Sequence, residues 1–166
     1  MINLINLEKD HFEKLFEIVS NPLTMQWIGD GNPWSKEKLS IIINLSINDN
    51  KIVAPLRKMF YWVIVKNNNL IGLIYIRPYN FKISKNFYIT SLLHPNEVGK
   101  GYGIQALNMV LRKFKKLRQD VKYIYIDTLI KNTQAQKTLN DFNLLGITKI
   151  HNRYHFRYVL LLKKHA

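Results

Sequence analysis

Two periods of apolar spacing run through this chain, and the switches between them mark its elements. Residues 2 to 7 alternate apolar and polar as a strand does, and residues 9 to 20 repeat Phe12, Leu15, Phe16 and Val19 on one helical face. Asn21-Pro22 stops that helix, and Ser35 is placed to cap a second one running to about residue 48. Two apolar runs, 59 to 65 and 70 to 76, flank Asn67-Asn68-Asn69; asparagine tolerates left-handed backbone, so the pattern predicts a hairpin. A strand from Phe87 to Leu93 leads into a glycine-rich bend and a helix over about 101 to 117. A strand over 122 to 130, a helix over 133 to 142 and a last strand over about 154 to 162 complete the order. No linker, repeat or low-complexity stretch interrupts it, so a mixed α/β fold in one domain spanning 1–166 is expected.

Composition narrows the chemistry. A 47% hydrophobic content over 166 residues is enough for a sizeable core and excludes a largely disordered chain. There is no cysteine, which removes disulfides, cysteine-ligated zinc and a cysteine nucleophile, and agrees with a reducing compartment. Residues 1 to 7 lack the basic start, long apolar core and cleavage site of a secretion signal, and no apolar run is long enough to span a bilayer; a cytoplasmic location is expected. The net charge of +14 favours polyanionic partners such as nucleic acid or phosphorylated cofactors. Much of it is accounted for on the 101–117 helix, where Leu107, Leu111, Phe114 and Leu117 form the apolar stripe and Arg112, Lys113, Lys115, Lys116 and Arg118 fall mainly opposite.

The bend Val98-Gly99-Lys100-Gly101-Tyr102-Gly103-Ile104 carries the strongest chemical signal. Glycines allow close backbone approach to an anion, and the helix that follows offers unpaired N–H groups and a favourable dipole. Three readings compete. A Walker A loop is excluded because no Gly-Lys-Ser/Thr follows. Gly101-x-Gly103-x-x-Ala106 satisfies a dinucleotide fingerprint, but it lies past mid-chain with one strand-helix-strand unit after it. The third reading is acyl-coenzyme A binding.

Val98-x-x-Gly101-x-Gly103 at a strand-to-helix turn, followed by Asn132-Thr133-Gln134-Ala135, resembles the GCN5-related N-acetyltransferases. Their pattern is Gln/Arg-x-x-Gly-x-Gly/Ala with an Asn-x-x-Ser/Ala helix start some thirty residues on. The likeness extends over nearly the whole chain and is nearest to the ribosomal-protein N-terminal and aminoglycoside 6'-type branches. It implies the acyl-CoA N-acyltransferase fold, a mixed, mostly antiparallel sheet flanked by helices and splayed at the cofactor cleft. It also implies acetyl-coenzyme A as cofactor, held by Leu92, Leu93, Val98, Gly99, Lys100, Gly101, Tyr102, Gly103, Ile104, Asn132 and Ala135. Val98 departs from the usual Gln or Arg; Asn143-Leu144 stands where relatives end the later helix in Gly-Phe, with Asn143 as a left-handed stop; and Leu139 replaces a tyrosine that in many relatives protonates the departing thiolate.

The implied reaction is direct attack of a primary amine on the thioester in a ternary complex, which needs a group to take one proton. Asp127, five residues before Asn132, is the first candidate, since the aminoglycoside branch carries a functional aspartate at that spacing. Asp30 is the second, within Trp27-Ile28-Gly29-Asp30-Gly31-Asn32-Pro33-Trp34, where Trp27 and Trp34 suit an acceptor with an apolar body. Asp30 and Asp127 together could form an acidic pocket for a cationic acceptor. Glu97 beside the bend is a third carboxylate, His94 a candidate proton relay, and Tyr154 and Tyr158 candidate acceptor contacts. His151 and His155 have zinc-ligand spacing but lie at a strand start without a His-Glu-x-x-His context, so no metal is expected. The acceptor is a small-molecule amine, an amino sugar or a protein N-terminus, the assembly a monomer or homodimer, and no membrane partner is expected. The rival readings are an acyl-coenzyme A sensor with little catalysis, a basic protein that holds nucleic acid, and a distant nicotinamide enzyme.

Overall fold

A computed structural model describes residues 1–80 and 83–162. One seven-stranded sheet runs in the order β1-β2-β3-β4-β5-β7-β6. Its strands are β1 (Ile2–Asn6), β2 (Phe60–Lys66), β3 (Asn69–Asn80), β4 (Ile83–Leu93), β5 (Tyr123–Leu129), β6 (Asn143–Ile150) and β7 (Arg153–Leu161). Every neighbouring pair is antiparallel except β4 with β5. The helices are α1 (Phe12–Val19), α2 (Pro22–Met25), α3 (Lys36–Asn50), α4 (Tyr102–Leu117) and α5 (Thr133–Gln136), with 3₁₀ turns at Lys9–His11 and Pro95–Glu97. This is the mostly antiparallel, helix-flanked sheet expected. Among the described residues no helix is long and apolar enough to cross a membrane.

The centre of the sheet is buried on both faces, which is why β2 reads as an unbroken apolar run. Its alternate residues serve two cores. Phe60, Trp62 and Ile64 join Ile74, Phe87 and Ile124 under α4, whose Ala106, Leu107, Val110 and Phe114 are its buried positions. Tyr61 and Val63 join Leu73 and Leu92 under α1 and α3, with Leu15, Ile18, Leu39 and Ile43. The caps follow the sequence: Ser35 Oγ accepts from Lys38 N at 3.2 Å, and Asn67 and Asn68 take φ of 47° and 65° in the two-residue turn from β2 to β3.

β3 and β4 approach closely at Gly72, opposite Leu93, where a Cβ would lie 2.4 Å from Leu92 O and 2.8 Å from Leu93 Cδ2. Gly72→Ala is expected to force the two strands apart and lower unfolding free energy by about 1–3 kcal/mol, read by denaturant titration.

Two expectations fail after residue 130. The helix predicted over 133 to 142 is a single turn, because Thr138 Oγ1 turns back to Ala135 O at 2.7 Å and Leu139 and Phe142 then enter the core. Asn143 is not a left-handed stop but the first residue of β6, a strand the sequence reading lacks. The left-handed pair is His151-Asn152, with φ of 47° and 59°, which turns β6 into β7. β6 is an edge strand whose Leu144, Leu145 and Ile147 are more than half exposed, so its apolar residues do not trace a buried face.

Candidate functional site

The parallel junction of β4 and β5 is short. Only Asn86, Phe87 and Tyr88 pair with Tyr123, Ile124 and Tyr125. Beyond that point Ile89–Leu93 stays with β3, Ile126–Leu129 stays with β7, and the two half-strands diverge. A cleft of about 700 Å³ opens between them, lined by the glycine bend and by residues of the Trp27–Trp34 segment. The expected splay is therefore present.

At the bend, His94 Nδ1 accepts from Asn96 N at 3.2 Å, and the turn Pro95–Glu97 leads to Gly99 and Gly101 at φ of 82° and 79°. Gly101 is the N-cap of α4 and brings no side chain to the cap, so the first-turn amides of α4 are left to another acceptor. Leu92, Leu93, Val98, Gly99, Gly101, Gly103 and Ile104 all line the cleft, as do Asn132 and Ala135 from the start of α5. Asn132 Oδ1 caps that turn by accepting from Ala135 N at 3.1 Å. Lys100 and Tyr102 do not line it. Lys100 Nζ pairs with Glu97 at 3.4 Å, Lys66 Nζ pairs with the same carboxylate at 3.3 Å, and Lys66 lies over the Tyr102 ring at 4.9 Å. Glu97 is thus neutralised by two lysines rather than aimed at an acceptor, and His94 is spent on the turn.

The face of β5 that carries Asp127 also carries Tyr125 and Leu129, opposite Arg157, Val159 and His155 of β7. Asp127 lines the cleft, but both its oxygens are taken by Arg157, Nε at 2.8 Å and Nη2 at 2.9 Å. Arg157 also donates to Tyr79 Oη at 3.3 Å, and its hydrogen bond to Asp127 pushes its pKa up. Asp30 sits exposed at the rim, where its Oδ1 accepts from Asn32 N and that bond lowers its pKa. The acidic pocket expected from Asp30 and Asp127 is therefore not formed. Trp34 is buried and anchored by its amide to Val19 O at 2.8 Å, whereas Trp27 is partly exposed; both line the cleft. Arg153 of β7 fastens this segment by donating to Gly29 O at 3.1 Å and to Gln26 O.

Tyr158 is a correction. Strand alternation sets it opposite Ile126 on the α4 face, where it packs against the core and, unlike Ile126, does not line the cleft. Tyr154 is exposed and also outside the lining. Among the described residues no group of three His, Asp or Glu could hold a metal.

Two residues gain a place that the sequence reading did not give them. His155 is buried, lines the cleft, and sets Nδ1 2.9 Å from Arg153 O. A carbonyl only accepts, so Nδ1 carries the proton and Nε2 keeps a lone pair. Burial lowers the His155 pKa below its ordinary value, which keeps the ring neutral at pH 7. Thr128 also lines the cleft, and its Oγ1 is buried without a hydrogen-bond partner among the described residues. Burial raises the phenol pKa of Tyr61, Tyr75 and Tyr88, so these lining tyrosines stay protonated and cannot act as bases near neutrality.

Residues 2–142 match the family model of the acetyltransferase (GNAT) domain. No curated protein matches the chain by sequence. Among solved structures, spermidine N-acetyltransferase from Vibrio cholerae, bound to coenzyme A and spermine, is 20% identical with a TM-score of 0.80, over 98% of this chain and 96% of that one. A ribosomal L7/L12 alpha-N-protein acetyltransferase in complex with coenzyme A is 18% identical with a TM-score of 0.80, over 99% and 96%. A GNAT-family acetyltransferase from Bacillus anthracis is 19% identical with a TM-score of 0.74, over 96% and 94%. At such identities these structures share the fold.

Proposed function

This chain belongs to the GNAT acetyltransferase family, and on that premise we propose that it transfers an acetyl group from acetyl-coenzyme A to a primary amine. The observation that carries the reading is the divergence of β4 from β5 beside the uncapped N-terminus of α4. The cleft also fits the cofactor on a separate ground. Thr128 lines the cleft, and its Oγ1 is a buried hydroxyl with no partner among the described residues; burial of such a group is costly unless a ligand supplies the bond.

In this reading the amides of the first turn of α4, with Gly99, Gly101 and Gly103, hold the diphosphate, and the cleft-facing edge of Leu92 and Leu93 holds the pantetheine arm. Asn132 and Ala135 flank the acyl end. Acetyl-coenzyme A, when bound, supplies an acetyl group activated as a thioester. His155 Nε2 takes the proton that the acceptor ammonium must lose, because its ring is buried in the cleft lining, its Nδ1 is held by Arg153 O, and burial keeps it neutral with a lone pair on Nε2. Asp127 and Arg157 act as a positioning pair that keeps β5 and β7 in register beside His155. The absence of cysteine leaves no thiol for an acyl-enzyme, which supports direct attack.

The deciding experiment is calorimetric titration with acetyl-coenzyme A, followed on the same sample by thiol release with amino acids, N-terminal peptides, polyamines and aminoglycosides. Binding together with release for one amine class is the expected result; no binding overturns the reading, and binding without release for any class leaves a sensor. Asp127→Asn separates positioning from proton transfer. It should lower stability by about 2 kcal/mol by leaving Arg157 half-paired, while the acid limb of the pH–rate profile persists and moves to lower pH, because the Asp127 charge helps to raise the His155 pKa.

A further inference from the structure

The charge balance of the acceptor half of the cleft names the kind of amine it takes. Four charged side chains line the cleft: Asp30, Asp127, Lys38 and Arg77. Asp127 is cancelled by Arg157 at 2.8 Å, and Asp30 lies exposed at the rim with its carboxylate on Asn32 N and Lys38 near enough to lower its pKa further. Arg77 is left over. No ion pair among the described residues includes it, and its guanidinium lies 4.6 Å over the ring of Tyr88. That stacking orients a planar fork of donors, the geometry that binds an oxyanion in two places.

Its place in the sheet separates it from the cofactor phosphates. Arg77 pairs with Tyr88, which is the last β4 residue joined to β5, while the glycine bend follows Leu93, paired with Gly72. Five residues of strand, about 16 Å, lie between the two levels. The walls at the Arg77 level are aromatic, with Tyr61 and Tyr75 5.7 Å apart and Tyr88 beneath the guanidinium. A polycation entering here meets an unpaired arginine and a carboxylate already neutralised.

We propose that Arg77 is a specificity determinant, and that the acceptor is a primary amine on an apolar or aromatic body which also carries an oxyanion, a carboxylate or a phosphate ester. The proposal rests on the acetyltransferase reading for the word acceptor, but its test reads binding, so the two can fail separately. Trp27 and Trp34 line the cleft and report occupancy by fluorescence. The coenzyme A-saturated protein is titrated with three amines on one scaffold: 4-(2-aminoethyl)benzoate, tyramine phosphate and tyramine. One of the two anionic amines should bind at least tenfold more tightly than tyramine, and which of them does so identifies the oxyanion. Arg77→Gln should bring all three within about threefold of one another, and Arg77→Lys should retain part of the preference, with coenzyme A affinity unchanged in both. Tyramine or spermine binding as tightly as both anions in the native protein overturns the proposal. So does a preference that survives Arg77→Gln. Loss of thiol release with retained anion preference instead sinks the catalytic reading and leaves this one standing.

Discussion

His155→Gln lowers kcat/KM by about 10²- to 10⁴-fold with little change in acetyl-coenzyme A affinity, if the imidazole is the group that takes the acceptor's proton. The native profile supplies the control. Burial lowers the folded-state pKa of His155, so Nε2 is free above the ordinary histidine value of about 6.5 and activity falls only as pH drops through the lowered value. The variant should lose that acid limb along with its rate. Stability runs in the same direction: the unfolded chain takes up a proton that the folded ring resists, so folding free energy also declines as pH falls below about 6.5. Measuring initial rates beside the thermal midpoint at each pH distinguishes a titrating base from a loosening fold. A His155→Gln enzyme with native kcat/KM and an unchanged acid limb would return proton transfer to Asp127 or to solvent.

Phe114→Ala is the largest stability change expected. The ring is fully buried on α4 and meets Phe60 edge-on at 5.0 Å and Phe87 edge-on at 5.1 Å, joining the helix to β2 and β4 at once. Removing it should cost about 3–5 kcal/mol through lost transfer energy and an unfilled cavity, and lower the thermal midpoint by on the order of 10 °C. Because α4 presents the amides at the glycine bend, acetyl-coenzyme A affinity should fall in the same variant. A thermal midpoint within about 2 °C of native would mean that the two neighbouring rings close the gap unaided.

The parts of the molecule readable from sequence are those whose signal is local. Ser35, Asn67-Asn68 and the glycine bend each announce themselves through cap or turn chemistry that a few neighbouring residues decide. The α4 stripe is legible for the same reason, because its period lies within one helix. β6 was not, since an edge strand with exposed Leu144, Leu145 and Ile147 has no buried face to impose alternation. The site divides along the same line. Leu92 through Ile104 lie on one continuous segment, whereas the pairing of Asp127 with Arg157 depends on the β5–β7 register, and the stacking of Arg77 on Tyr88 on the β3–β4 register. Neither register is written in the residues around Asp127 or Arg77. His155 shows the limit best: its spacing from His151 matches zinc ligands only out of context, while its protonation state comes from a carbonyl two residues away and from burial beside β5.

The three-pair junction of β4 with β5 also has a mechanical meaning. It makes the sheet two antiparallel plates, β1 to β4 and β5 to β7, stitched by a seam only as long as Asn86 to Tyr88. The opening that admits a ligand and the weakest line of the sheet are the same place. A ligand seated between the plates would touch both, so its occupancy would act as a splint. Its binding energy then adds directly to the resistance of the whole molecule to unfolding.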